Sequence, residues 1–298
     1  MSAEQPSFWC GKTVLIFGAG YSGKAFAKNA HAEGATVFGT TRSPDKMAPE
    51  IRAYLNPVQF DGEATDELRA LIKKAHIIVQ SVSPGEAGDP VVNAMGEALA
   101  DASPNWMAYL STVGVYGSYD GGWVDETARP RPVSKRSVQR VAAEDAWQRL
   151  AETNSAPLAI LRLSGIYGPG RNAFCNLEKG TARRLVKPGQ VFNRIHVDDI
   201  ASSLMFLGEQ QADGIFNVTD NLPAPPQDVV EHAALLMKVD VPPPIDFETA
   251  TLSPMARSFY GENKRVSNAK LKELGFDFDY PDYKTAFNRM WADHTWRG

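Results

Sequence analysis

Short apolar runs alternate with amphipathic stretches from residue 12 to about 163, and this alternation limits the available folds more than any other feature. "TVLIFG" (13–18), "ATVFGT" (35–40), "PVQF" (57–60), "HIIVQS" (76–81), "WMAYLST" (106–112) and "LAILRL" (158–163) read as strands. The second, fourth, fifth and sixth are nearly continuous apolar runs, as suits strands covered on both faces. Helical stretches fall between them at 22–33, 45–54, 65–74, 89–101 and 134–152. Parallel neighbours need a crossover helix, so the order predicts an α/β chain with a doubly wound parallel sheet.

After Leu163 glycines and prolines become frequent, as in "GIYGPGRN", "NLPAPP" and "VPPP". Residues 1–165 are expected to form the main domain and 166–298 a smaller, C-terminal substrate lobe. A helix near 197–208 and the strand "IFNV" (215–218) are expected to return to the sheet, completing the first domain from about 194–220.

The first strand runs into Gly18-x-Gly20-x-x-Gly23 and then a helix. Gly18 permits a tight turn, Gly20 lets backbone approach a diphosphate, and Gly23 lets helix and strand pack closely. Tyr21 and Ser22 open the helix, whose N-terminus offers N–H groups and a positive dipole end to phosphates. At the first strand-to-helix junction of an alternating chain, the pattern predicts a Rossmann-type dinucleotide site.

A free ribose 2′-hydroxyl usually meets an acid at the end of the second strand. Here that strand ends "FGTTRS", with Thr41 and then Arg42 and no acid beside them. A guanidinium can grip a 2′-phosphate, which favours NADP over NAD as cofactor. Asp61 suits either the adenine amino group or a cap for the helix near Thr65. Ser81 and Ser83 follow the fourth strand, where the chain skirts a bound cofactor, and backbone contact is their expected role.

A net charge of −4 gives no support to nucleic-acid or membrane-surface binding. "TARRLVKPGQ" (181–190), though locally basic, reads as a solvated loop. Cys10 and Cys175 form no CxxC pair, zinc-ligand spacing or disulfide framework, and no HExxH or other metal-ligand cluster is present. The Gly-Lys-Ser/Thr ending of an NTPase loop and a GxSxG elbow are missing too. "MSAEQPSFWCGK" lacks the features of a signal peptide, and nowhere do eighteen apolar residues run together. The expectation is a soluble, cytoplasmic protein with a small-molecule substrate and, as an option, a second copy of itself in a homodimer.

Several segments in order resemble the extended short-chain dehydrogenase/reductase family, the NAD-dependent epimerases and dehydratases. They are "STVGVYG" (111–117), "VDETARPRP", "RLSGIYGPGR" (162–171), "RIHVDDIA" (194–201) and "KRVSNAKLKELGF" (264–276). The resemblance covers most of the chain and implies the fold more sharply than the reaction. It implies catalysis by a Ser or Thr near the fifth strand and a Tyr-x-x-x-Lys pair on the next helix. Thr112 matches the first, but Arg136 and Arg140 stand where the tyrosine and lysine are expected.

Arginine has no acceptor and stays protonated, so neither residue replaces a phenol as acid or base. A cation at Arg140 could still hold a ribose or an anion, and Arg136 becomes a substrate contact. The competing expectation is a solvated stripe, with Arg140 and Glu144 as an i,i+4 pair worth about 0.2–0.5 kcal/mol and Val138, Val141 and Ala142 on the opposite face. Tyr167 is a candidate proton donor, with packing as its alternative; Tyr116 more often packs. His196, beside Asp198 and Asp199, could titrate near neutrality, although the resemblance implies helix capping and lobe docking there. Arg171 and Asn193 are substrate contacts on the resemblance alone.

Two function classes follow. One is oxidoreductase, epimerase or dehydratase chemistry on a small polar or sugar-like substrate, with Thr112, Arg140 and Tyr167 as catalytic candidates. The other is a non-catalytic module that senses NADP(H), which the missing tyrosine favours.

Overall fold

The computed structural model describes residues 7–298; the first six, part of the N-terminal stretch read as lacking a signal peptide, lie outside the described residues. Seven strands, β1 (Thr13–Phe17), β2 (Thr36–Thr41), β3 (Asn56–Gln59), β4 (Ile77–Gln80), β5 (Trp106–Thr112), β6 (Leu158–Leu163) and β7 (Gly214–Val218), form one sheet in the order β7-β6-β5-β4-β1-β2-β3. Val14 pairs in parallel with Val37 on one side and Ile77 on the other. Phe38 pairs with Asn56, and Ile77 with Trp106, also in parallel. The strand order reverses between β1 and β4, the switch point at which doubly wound sheets bind ligands.

The crossovers include α1 (Tyr21–Ala32), α2 (Asp66–Lys74), α3 (Pro90–Ala100), α4 (Lys135–Asn154) and α5 (Val197–Glu209). The doubly wound α/β expectation therefore holds. β4 and β6 are buried at every position, which suits their largely apolar sequences and also encloses the polar Gln80 and Arg162. The helix expected over 45–54 breaks into a 3-10 turn at Pro44–Lys46 and a single α-turn at Pro49–Arg52. Ala48 precedes a proline and is held extended at ψ 144°, which interrupts the run.

The chain divides into two compact units. The first comprises residues up to Thr112, Val138–Arg162 and Ile200–Phe216. The second comprises Val113–Ser137, Leu163–Asp199 and Asn217–Gly298, so the first 165 residues contribute to both. In the first, Leu15, Phe17, Ile78, Tyr109, Trp147 and Ile160 belong to one buried cluster. In the second, Tyr167, Phe174, Tyr283, Phe287, Met290 and Trp296 form another. Within the second unit the short strand at 123–124 pairs with 265–266, and Lys264 Nζ donates to Gly117 O at 2.7 Å. These links tie the 113–137 segment to the C-terminal part of the chain.

Candidate functional site

The phosphate turn is built by exclusion of side chains. Gly18 has φ +85°, and a Cβ there would lie 3.0 Å from Val82 N and 3.1 Å from Ser81 C. A Cβ on Gly23 would lie 2.9 Å from Gly18 O and 3.2 Å from Ile16 Cγ2. Gly20 differs: a Cβ there would meet nothing within 4 Å. Two glycines are thus demanded by the fold, and the third leaves open space at the mouth of α1. Thr40 fixes the turn, accepting Gly18 N at its Oγ1 (2.8 Å) and Ala19 N at its carbonyl (2.8 Å). Among the described residues no side-chain oxygen caps α1, and no acid occupies its first turn, so the amides of Ser22 and Gly23 are left for another acceptor. An open cradle at a helix N-terminus without competing negative charge fits a dinucleotide diphosphate.

Beside the turn lies a cleft of about 250 Å³, lined by Lys24, Thr41, Ser43 and Lys46 together with apolar side chains such as Ala19 and Ile51. No carboxylate lines it. Thr41 is part of the lining and Arg42 is not. Lys24 and Lys46 were not singled out in the sequence. Lys24 directly follows Gly23 and was legible; Lys46 is brought in by the unexpected 3-10 turn. Asp61 is exposed and accepts from Glu63 N at 3.4 Å. The helix that it was a candidate to cap is capped instead by Thr65, whose side chain accepts from Leu68 N.

At the C-terminal ends of β4 and β5 the structure brings Ser83 and Arg140 together, with half-buried Thr112 closing β5. Arg140 Nη1 donates to Leu110 O at 2.9 Å and to Tyr109 Oη at 3.1 Å, while Nη2 reaches Ser83 Oγ at 3.4 Å. Ser81 N donates to Phe17 O, continuing the β1–β4 ladder one residue past the strand. Burial pushes the Tyr109 phenol well above its usual value, although the Arg140 charge opposes the shift.

Among the described residues the expected Arg140–Glu144 pair does not form, and the stripe is solvated at Arg136 but not at half-buried Arg140 or buried Glu144. Glu144 is buried and accepts from Arg162 Nη2 at 2.7 Å and Nε at 3.2 Å, and from Ser111 Oγ. Ala143, Glu144, Trp147 and Leu150 make the buried side of α4, while Val138 is exposed and so is Ala142. The reason is the ion pair: a carboxylate with two guanidinium bonds and a hydroxyl donor can be buried where an unpaired one cannot. Arg136, by contrast, is exposed.

The second unit holds the remaining candidates. Tyr167 lies against Phe287 and His196, its hydroxyl is buried with no hydrogen-bond partner among the described residues, and burial raises its pKa far above the ordinary value. Asn193 donates to Lys264 O at 3.0 Å and accepts from Val266 N at 2.8 Å, so its amide is engaged with backbone. The Arg171 side chain is exposed beside the Gly168 turn. His196, a candidate to titrate near neutrality, is fully buried and stacked on Tyr280; burial, and then the Arg289 charge, lower its pKa to about 4. Tyr116 packs, donating to Asn217 Oδ1 at 2.8 Å.

Among the described residues no group of three or more His, Cys, Asp or Glu side chains is placed to hold a metal ion, and no helix is long and apolar enough to cross a membrane. A conserved protein of unknown function from Silicibacter pomeroyi DSS shares 42% identity and a TM-score of 0.86, over 95% of this chain and 99% of that one. A candidate NAD-dependent epimerase/dehydratase from Methylobacillus flagellatus shares 28% identity and a TM-score of 0.73, over 95% and 98%. The chloroplastic epimerase family protein SDR39U1 homolog of Arabidopsis thaliana is 25% identical over 230 residues, 75% of this chain. The chain spans 63% of the length of that curated relative. The model of one family matches residues 14–219, from β1 through β7, and by that match the chain belongs to the NAD dependent epimerase/dehydratase family.

Proposed function

We propose that this member of the family binds NADP and acts as an oxidoreductase or epimerase/dehydratase on a small polar, sugar-like substrate, without the usual tyrosine and lysine. The observation that carries the cofactor preference is the cleft beside α1, which offers two ammonium groups and no carboxylate to the adenosine end. A bound dinucleotide supplies hydride transfer at its nicotinamide ring. Gly20 leaves room for the diphosphate at the amides of α1, with Tyr21 and Ser22 alongside. Arg140 replaces the lysine as a fixed donor. Three of the five guanidinium hydrogens are committed to Leu110, Tyr109 and Ser83, which leaves two for a ligand hydroxyl or phosphate. Thr112 offers a hydroxyl at the end of β5. Arg136 and Arg171, both exposed, are assigned to substrate oxygens. Asn193 is assigned to holding the 264–266 backbone.

One observation favours the sensing alternative: burial pushes the phenols of Tyr109 and Tyr167 away from neutral titration. Turnover decides between the two. NADPH oxidation against a panel of carbonyl compounds and nucleotide sugars is expected above background; a flat panel with intact NADPH binding assigns the sensing role. Arg140→Lys is expected to lower activity, because a single ammonium cannot span Leu110 O, Tyr109 Oη and Ser83 Oγ. If Arg136→Tyr combined with Arg140→Lys gains activity instead, the site is an eroded one and the role given to Arg140 falls.

A further inference from the structure

The cation pair in the cleft identifies which residues read the adenosine end. Lys24 comes from the first turn of α1 and Lys46 from the 3-10 turn after β2, two elements separated in sequence that line one cleft. Among the described residues neither ammonium has an ion-pair or hydrogen-bond partner, in a chain whose net charge is −4. Two like charges brought to one cleft without a counter-ion repel each other, and a dianion between them removes the repulsion. Ser43 adds a hydroxyl that caps nothing, and Thr41 adds another.

We infer that Lys24 and Lys46, rather than Arg42, form a clamp for a phosphate monoester and thereby select the 2′-phosphorylated dinucleotide. The inference rests on the NADP reading and goes further by naming the selecting side chains. Each ammonium takes a phosphoryl oxygen, and the two hydroxyls donate to the third. Lys46 and Arg42 are both exposed, but only Lys46 lines the cleft, and Arg42 contributes at most to the surrounding field.

The test is calorimetric titration of the full chain with NADP⁺, NAD⁺, 2′,5′-ADP, 5′-AMP and inorganic phosphate. The wild type is expected to bind NADP⁺ and 2′,5′-ADP more tightly than NAD⁺ and 5′-AMP. Lys24→Gln and Lys46→Gln should each weaken NADP⁺ about tenfold, the loss expected for one charge-assisted bond. NAD⁺ affinity should stay within about twofold, since it lacks the phosphate that the ammonium groups hold. Arg42→Gln and Lys28→Gln, a control one turn along α1, should keep the preference. Wild-type protein that binds NADP⁺ and NAD⁺ equally overturns both the NADP reading and the clamp. A wild-type preference that survives both lysine changes, or is lost in Arg42→Gln, overturns the clamp alone. Inorganic phosphate binding as tightly as 2′,5′-ADP overturns it as well, by making the cleft a site for the free ion. Should a glutamine variant unfold, Lys24→Arg with Lys46→Arg keeps both charges and must keep the preference.

Discussion

Three glycines of one motif carry different physical duties. Gly18 and Gly23 sit where a methyl group would press on backbone or on Ile16, and Gly18 also needs positive φ. Gly18→Ala and Gly23→Ala are each expected to cost about 1–3 kcal/mol in urea unfolding. Gly20→Ala should leave stability within about 0.5 kcal/mol, because its new methyl meets nothing within 4 Å. It should nevertheless weaken dinucleotide binding in a titration, because the methyl fills the space where phosphate must approach. A Gly20→Ala protein that binds the cofactor as well as wild type would remove the diphosphate from that turn. The three spacings were readable in the sequence; which glycine is structural and which faces a ligand came only from the neighbours that each one meets.

At the scale of elements, α4 shows how a polar stripe can be an inner face. Arg140 and Glu144 recur at helical spacing, and the periodicity was legible. Their partners were not, because Arg162, Ser111, Leu110 and Ser83 arrive from three other parts of the chain. The Glu144–Arg162 pair is almost wholly buried, with side-chain exposures of 4% and 3%. Replacing one partner leaves the other charge buried, so Glu144→Leu should cost about 3–5 kcal/mol. The double change Glu144→Leu, Arg162→Met removes both charges and should recover most of that loss. Urea midpoints of the three proteins check this, and a single variant as stable as wild type would show that the pair does not tie α4 to β6. The 45–54 stretch gives the opposite lesson. Its helical composition was read, but Pro49 restricts Ala48 and breaks it, and Lys46 reaches the cleft because the stretch is not a continuous helix.

For the whole molecule, pH dependence is set by carboxyl groups buried in the second unit. Burial raises Asp199 from 3.8 to about 7 and Asp220 from 3.8 to about 8, against backbone donors that pull the other way. The folded state therefore holds these protons more tightly than the unfolded chain. Their stabilisation is complete below about pH 4 and is lost as pH rises through 7 to 8. His196 runs in the opposite sense: its pKa falls from 6.5 to about 4, so its contribution is full above pH 6.5 and lost as pH falls toward 4. Asp220→Asn keeps an oxygen to accept from Leu222 N. The melting temperature of this variant, relative to wild type, should rise steadily between pH 4 and 8. A constant difference across that range would mean that Asp220 is ionised in the folded protein.

The sequence by itself determined the strands, most of their crossover helices, the phosphate turn and the family, because these are written in local periodicity, glycine spacing and segment order. The resemblance implies a tyrosine and a lysine where this sequence carries Arg136 and Arg140. Tertiary structure alone decided that Glu144 faces inward, that His196 is held neutral, that Asn193 is spent on backbone and that two lysines share a cleft. Each of these depends on a partner far away in the chain, and on the withdrawal of water around it. Neither can be counted along a sequence.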